Sequence, residues 1–286
     1  MSTTIQKPAP ADTATAAGRP KAPAGEGRIG LRGNIRHIGA LMRRNLLQIK
    51  KDPESMFDVL LMPIIFTLLF VYVFGGSIGT SLGGDRQTYI NYVVPGLMAM
   101  MGMNIATAVG TGVNEDFHKG VMDRFRTMPI ARSSVLVAKI AVELGRMMVA
   151  TAILLGMGFL LGMELKTSVL GLLAAVGLSA AFGAAIMWIF ILLGLSLKTP
   201  QAVQGLGMLV LVPLQFGSSI FAPTATMPGW LQAFTDYNPL SNLADAARGL
   251  MTGGPVAHSA WLTLGWAVAI TAVTAPLAVA KFRKRT

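Results

Sequence analysis

The chain has 286 residues, 53% of them hydrophobic and only 13% charged, about half the charge content of an average soluble domain. The net charge of +11 raises nucleic acid as a partner, but the basic residues sit beside uncharged runs, which points to lipid headgroups and topology and not to nucleic acid. With no cysteine, the chain has neither a disulfide framework nor a thiolate metal site, and His37, His118 and His258 lie too far apart to form a ligand pair at helical spacing.

In chain order, residues 1–33 come first. Met1–Gly27 is rich in Ala, Pro, Thr and Gly and carries no secretory signal. It reads as a disordered cytoplasmic tail. In Asn34–Asp52, the residues Ile35, Ile38, Met42, Leu46 and Ile49 recur at helical spacing, while Arg36, Arg43, Arg44, Lys50 and Lys51 supply a basic remainder. That pattern predicts an amphipathic helix lying in the headgroup plane. Asp52-Pro53-Glu54 then reads as a fresh helix start, with a cap, a proline at the first position and an acid in the first turn.

Charge-free intervals run Val59–Gly84, Gln87–Asn114, Met147–Met163, Thr167–Leu197, Thr199–Thr235 and Gly249–Ala280. A membrane-crossing helix needs roughly 20 apolar residues. The intervals predict six spans, at about 57–76, 90–113, 141–163, 169–196, 202–222 and 258–280. With the N-terminus in the cytoplasm, 21 of the 24 Lys and Arg fall inside, leaving Arg86, Lys166 and Arg248 outside. The positive-inside rule favours that arrangement, with both termini cytoplasmic. The third interval is the shortest. It extends back to Ile140 if Glu143 and Arg146 pair near the cytoplasmic interface while Arg146 snorkels. On this reading no ionisable side chain lies deep in a span. Pro63 and Pro213 fall inside spans one and five, where they kink a helix beside a cavity or are merely tolerated. Gly102, Ala106 and Gly110, with Gly158 and Gly162, offer small surfaces for close helix contact.

The loop between spans two and three holds a short amphipathic pattern. Val121, Phe125 and Met128 share a face, Asp123, Arg124 and Arg126 occupy others, and Pro129 stops the helix near Met128. Ser133 or Ser134 can cap the helix that follows. Two readings stay open from spacing alone: the helix plugs into a partner's groove, or it lies on the membrane surface.

The run Gly120-Val-Met-Asp-Arg-Phe-Arg-Thr-Met-Pro-Ile-Ala-Arg-Ser-Ser-Val-Leu resembles the signature of permease subunits of type-2 ABC exporters, in the daunorubicin-resistance-like branch. Tyr92-Val-Val-Pro-Gly-Leu-Met and Asn238-Pro-Leu-Ser-Asn-Leu-Ala-Asp-Ala-Ala-Arg-Gly-Leu are similar to the same family, so the resemblance runs from about Ile35 to the end. It implies an all-α membrane protein in which 34–286 form one transmembrane domain that works as a dimer, a homodimer by expectation, with two ATP-binding subunits. It implies that Gly120, Val121, Asp123, Arg124, Phe125, Arg126, Met128 and Pro129 couple to the ATPase. Ile35, Ile38, Met42, Arg43, Arg44, Leu46 and Ile49 would belong to an interfacial elbow helix. Trp230, Phe234, Asn238, Pro239, Asp245 and Arg248 would belong to short re-entrant helices at the outer mouth, the alternative being an ordinary external loop. On the re-entrant reading Asp236, Asp245 and Arg248 face water or each other. One departure is Ala138-Lys139, where many members have Gly-Arg: the charge is kept and the glycine lost.

No Gly-x-x-x-x-Gly-Lys-Ser/Thr phosphate loop occurs. The expectation is therefore a chain that binds no cofactor itself, with ATP and magnesium held by the partner subunit. The expected role is a plasma-membrane permease exporting a hydrophobic or amphiphilic drug, antibiotic or lipid. A polysaccharide exporter is one alternative. A membrane enzyme using Asp236, Asp245 and His258, or a non-transporting scaffold, are the others.

Overall fold

The computed structural model describes residues 53–120 and 132–285. The tail, the interfacial helix expected at 34–51 and the loop residues 121–131 lie outside the described residues. Within them the chain is helical throughout. In order come α1 (Pro53–Leu69), a π-helical turn (Phe70–Phe74), α2 (Gly75–Ser81), α3 (Arg86–His118), α4 (Arg132–Leu160), α5 (Val169–Gly194) and α6 (Pro200–Phe216). A 3-10 turn (Thr224–Thr226), α7 (Gly229–Tyr237), α8 (Pro239–Thr252) and α9 (Ala257–Arg285) follow. Uncharged runs fold this way because a helix satisfies every backbone polar group within its own segment.

Side chains set several helix starts. The Asp85, Ser168, Thr199 and Asn238 side chains accept backbone N–H groups of Thr88, Gly171, Ala202 and Leu240 at 3.0–3.3 Å. Pro200 and Pro239 occupy the first helical positions, where the missing N–H costs nothing. A helix does begin at Pro53. Helix α4 begins at Arg132, ahead of the serines expected to cap it.

Among the described residues, five helical stretches are long and apolar enough to cross a membrane: Val59–Ser81, Arg86–His118, Val135–Leu160, Val169–Gly194 and Ala257–Lys284. The first outruns the expected 57–76 because the π-turn carries the helix onward into α2. The segment expected as span five behaves differently. It is the 17-residue helix α6, about 25 Å long, followed by non-helical backbone at 217–223.

Helix α3 is the axis of the bundle, with α5, α8, α4 and α6 packed around it. Small residues bring α3 and α5 together. A Cβ on Gly102 would lie 3.3 Å from the Gly183 Cα, and one on Gly110 would lie 2.6 Å from the Phe190 carbonyl oxygen. The small-residue surface legible at Gly102 and Gly110 is thus the α3–α5 contact, while Gly158 abuts Val94 across the α4–α3 contact.

Two polar layers lie at opposite ends of α3. At its C-terminal end, Asn114 Nδ2 donates to the Gly194 and Leu197 carbonyls, both at 2.8 Å. His118 Nε2 lies 2.5 Å from the Lys198 carbonyl, Lys281 Nζ donates to Ser196 Oγ, and the Phe117 and Phe282 rings meet edge-on. Near its N-terminal end, Tyr89 and Tyr92 donate to the Phe221 and Ser219 carbonyls, and Asn91 accepts the Glu164 N–H. The segment 198–219 therefore starts in one layer and ends in the other.

Candidate functional site

A cavity of about 420 Å³ opens between α1, α3, α4 and α6, within the size range of drug-binding pockets. Its wall is mainly apolar, with Val59, Met62, Pro63 and Phe66 from α1, Met101 and Ile105 from α3, and Met208 and Leu211 from α6. Asn104, Thr107, Gln204 and Gln215 add uncharged polar groups, and Arg146 is the charged side chain in the described lining. The Pro63 kink position does lie at a cavity.

Arg146 is one of a pair of ionisable side chains on α4. It sits 14 residues into α4, about 21 Å along the helix axis, and Arg146 Nη1 donates to Glu143 Oε2 at 2.9 Å with both side chains mostly buried. Pairing at i, i+3 is as expected.

The cavity ends near Phe66 and Gln215, just below an aromatic and polar cluster. Phe66 stacks toward Phe70 with ring centroids 6.3 Å apart. Phe70, at the start of the π-turn, stacks on Phe221 at 4.6 Å and 12°, and Phe216 leans on Phe221 at 5.2 Å. Phe221 belongs to the non-helical segment after α6, whose carbonyls lack helical partners. Side chains supply them. Tyr89 Oη donates to the Phe221 carbonyl at 3.1 Å and Tyr92 Oη to that of Ser219 at 2.7 Å. Arg248 donates through Nη2 to the Ser219 and Ile220 carbonyls, through Nε to the Tyr92 carbonyl and through Nη1 to Ser219 Oγ.

Arg248 is only 9% exposed. Its guanidinium pairs with Asp245 at 2.6 Å and lies over the Tyr92 ring, 3.7 Å from the centroid. The close approach requires a small residue at Gly96, where a Cβ would lie 2.6 Å from the Ile220 carbonyl oxygen. Arg248 and Asp245 thus face each other, as one alternative had it, but Arg248 does not face water. The two motifs Tyr92–Met98 and Asn238–Leu250 meet here across the bundle. Asn238 also leaves the surface: its Nδ2 donates to the Leu214 and Gly217 carbonyls at 2.8 and 3.0 Å. Trp230 and Phe234 share the exposed face of α7 with Tyr237, and Pro239 opens α8.

At the other end of α3, Gly120 is the one residue of the expected coupling segment that is described. Its φ of +67° and N–H bond to the Phe117 carbonyl end the helix in the left-handed conformation that glycine adopts without strain. Val121, Asp123, Arg124, Phe125, Arg126, Met128 and Pro129 lie outside the described residues, as do Ile35, Ile38, Met42, Arg43, Arg44, Leu46 and Ile49. Beside Gly120, Lys119 pairs with Glu115 at 2.8 Å, and that hydrogen bond holds its ammonium pKa above the ordinary value. Lys139, in the Ala-Lys departure, pairs with Asp116 at 2.6 Å, and Ala138 is buried.

Tyr92 stands in a family-like motif that gives it no role of its own, and no spacing in the sequence marks Tyr89, Ser219, Phe70 or Phe221. Asn104, Gln204 and Gln215 carried a legible signal, since polar residues inside apolar spans face protein or water in preference to lipid.

Residues 36–252 match the family described as ABC-2 type transporter. The chain is 37% identical over 242 residues to a daunorubicin resistance ABC transporter permease protein, DrrB1, of Streptomyces coeruleorubidus, covering 85% of this chain and 84% of that protein. It is 25% identical over 244 residues to a probable doxorubicin resistance ABC transporter permease protein, DrrC, of Mycobacterium tuberculosis, covering 85% and 87%. A putative transport permease, ycf38, of Cyanophora paradoxa is 24% identical over 242 residues, covering 80% and 77%.

Proposed function

The chain belongs to the ABC-2 type transporter family, and from that membership we propose that it moves a drug-sized amphiphile outward through the cell membrane, driven by ATP hydrolysed in a separate subunit. The observation that carries this reading is the 420 Å³ cavity between α1, α3, α4 and α6. Its methionines adapt to varied apolar shapes, and its carboxamides and Arg146 offer hydrogen bonds to a polar group. A polysaccharide needs a continuous polar path, which this wall does not offer. The printed names of two relatives, resistance permeases for daunorubicin and doxorubicin, point to cargo of the same kind.

We read the transmembrane domain as 34–286, with a tail at 1–33, and α6 as a sixth crossing. Segment 198–219 joins the polar layers at the two ends of α3, and a chain that links both ends of the bundle crosses it. An even number of crossings puts both termini on one side, and Lys281, Arg283 and Lys284 assign that side to the cytoplasm. Helices α7 and α8 then lie at the outer mouth as re-entrant pieces, each too short to span. The Gly120–Pro129 segment joins the cytoplasmic ends of α3 and α4, the place from which a partner's movement reaches both helices as rigid bodies. Residues 34–51 lie along the headgroups as the elbow, two copies form the pathway, and ATP with its magnesium stays in the partner.

The test is reconstitution in vesicles with the partner ATPase and doxorubicin as the fluorescent probe. ATP-dependent accumulation against a gradient is expected from the complex and none from this chain alone. Sustained uphill pumping by the chain alone overturns the reading.

A further inference from the structure

We propose that Lys139 is a positioning residue for coupling: its ion pair with Asp116 is a strut that makes the cytoplasmic ends of α3 and α4 move as one body. This rests on the exporter reading above, in which the Gly120–Pro129 segment receives the movement of the ATPase subunit.

Two helix faces carry the pair. On α3, Met101, Ile105, Ala108, Gly112 and Asp116 recur at spacings of four, three, four and four, so they form one stripe. On α4, Lys139, Glu143, Arg146 and Ala150 recur at four, three and four and form another. Met101, Ile105 and Ala108 of the first stripe and Arg146 and Ala150 of the second line the cavity. The same two stripes meet about two turns further along, where Lys139 Nζ donates to Asp116 Oδ2 at 2.6 Å. The helix faces that bound the cavity are thus tied together at the end next to Gly120.

The local sequence makes room for this contact. A Cβ at Gly112 would lie 3.2 Å from Lys139 Nζ, so the lysine crosses α3 over bare backbone to reach the next turn. Leu136, Ala138 and Ile140 are buried, which fixes the root of its stem. The Lys139 and Asp116 side chains are 18% and 28% exposed. A pair so shielded holds more firmly than a surface pair, because losing one partner strands the other away from water. The pairs Glu115–Lys119, Glu143–Arg146 and Asp245–Arg248 join residues three or four apart, and each stiffens one stretch of chain. Asp116 and Lys139 are 23 residues apart, and their pair closes the whole connection between α3 and α4 into a ring. A push on that connection then reaches both helices together and does not bend one against the other. Glu143 lies within electrostatic reach of Lys139, so charge alternates in sign from Asp116 through Lys139 and Glu143 to Arg146 at the cavity wall.

In proteoliposomes holding the complete transporter with its ATPase subunit, doxorubicin moved per ATP hydrolysed is measured for Lys139→Met, Asp116→Asn, the double variant and Lys139→Arg. Each single neutral variant should lower the ratio roughly three- to tenfold, and Lys139→Arg, which keeps the charge, should retain it. The double variant leaves no charge stranded, so it separates a missing strut from a buried unpaired charge. It should stay as uncoupled as the single variants. A second readout needs no cargo. The chain has no cysteine, so Ala108→Cys on α3 and Gly145→Cys on α4, both exposed positions, carry spin labels, and the distance between them is measured with and without ATP. The native pair should give one narrow distance that ATP leaves unchanged, and Lys139→Met a broad one that ATP shifts. Native stoichiometry in Lys139→Met, recovery in the double variant, loss in Lys139→Arg, or a distance that Lys139→Met leaves untouched each overturns the proposal. If the distances behave as expected while the native complex moves no doxorubicin, the exporter reading fails and the strut stands.

Discussion

Arg248 and Arg146 are both guanidinium groups inside an apolar bundle, held in different ways. Arg248 is bonded to three backbone carbonyls, a hydroxyl and a carboxylate, so its removal strands several acceptors, at about 1–3 kcal/mol for each buried group. Arg146 pairs with Glu143 on the next helical turn while lining a cavity. A double-mutant cycle with Glu143→Gln and Arg146→Gln should give a coupling of about 1–3 kcal/mol in chemical denaturation from micelles. A coupling near zero would show the pair to be energetically idle. Among the small residues, Gly110→Leu forces a side chain against the Phe190 carbonyl and should lower stability by about 1–3 kcal/mol. Gly205→Leu, with open space around its Cβ, serves as the control and should leave the thermal midpoint nearly unchanged.

At the scale of elements, α3 connects the two ends of the molecule. Its N-terminal part holds the backbone of residues 219–221 through Tyr89 and Tyr92, its middle lines the cavity through Met101, Asn104 and Ile105, and its C-terminal end stops at Gly120, where the expected coupling segment begins. A displacement imposed at Gly120 would therefore act on a helix that touches both the cavity and residues 219–221. On the coupling proposal, Val121, Phe125 and Met128, which share a face by sequence spacing, would supply the docking surface. Phe125→Asp should leave membrane insertion intact, since the loop lies between spans, yet reduce coupled transport about tenfold or more, the loss expected when one buried aromatic anchor of an interface is replaced by a charge. The comparison is doxorubicin moved per ATP hydrolysed in the reconstituted complex. Native stoichiometry in that variant removes the coupling role from this loop.

For the whole molecule, the parity of crossings is the decisive quantity. Six crossings place Thr226 outside and Thr286 inside, whereas five place the two termini on opposite sides. Single cysteines at these positions, probed with an impermeant reagent before and after permeabilisation, should label at once at 226 and only after permeabilisation at 286. Immediate labelling at 286 rules out the six-span arrangement. The membrane class, the helical fold and the approximate positions of five of the six expected spans could be read from the sequence because charge is excluded from hydrocarbon at a cost of about 2.5–3.5 kcal/mol per group, a constraint that acts residue by residue along the chain. The family motifs were legible for the same local reason: Gly120–Pro129, Tyr92–Met98 and Asn238–Leu250 are contiguous strings. Only the tertiary structure decided that the last two meet, that Arg248 is buried at their junction, that α6 ends at Phe216 in non-helical backbone, and that Arg146 reaches a cavity wall. Tyr92 and Arg248 are 156 residues apart in sequence, and hydrogen bonds and ring stacking act over a few ångströms in space, so no spacing along the chain encodes which distant residues will come within that reach.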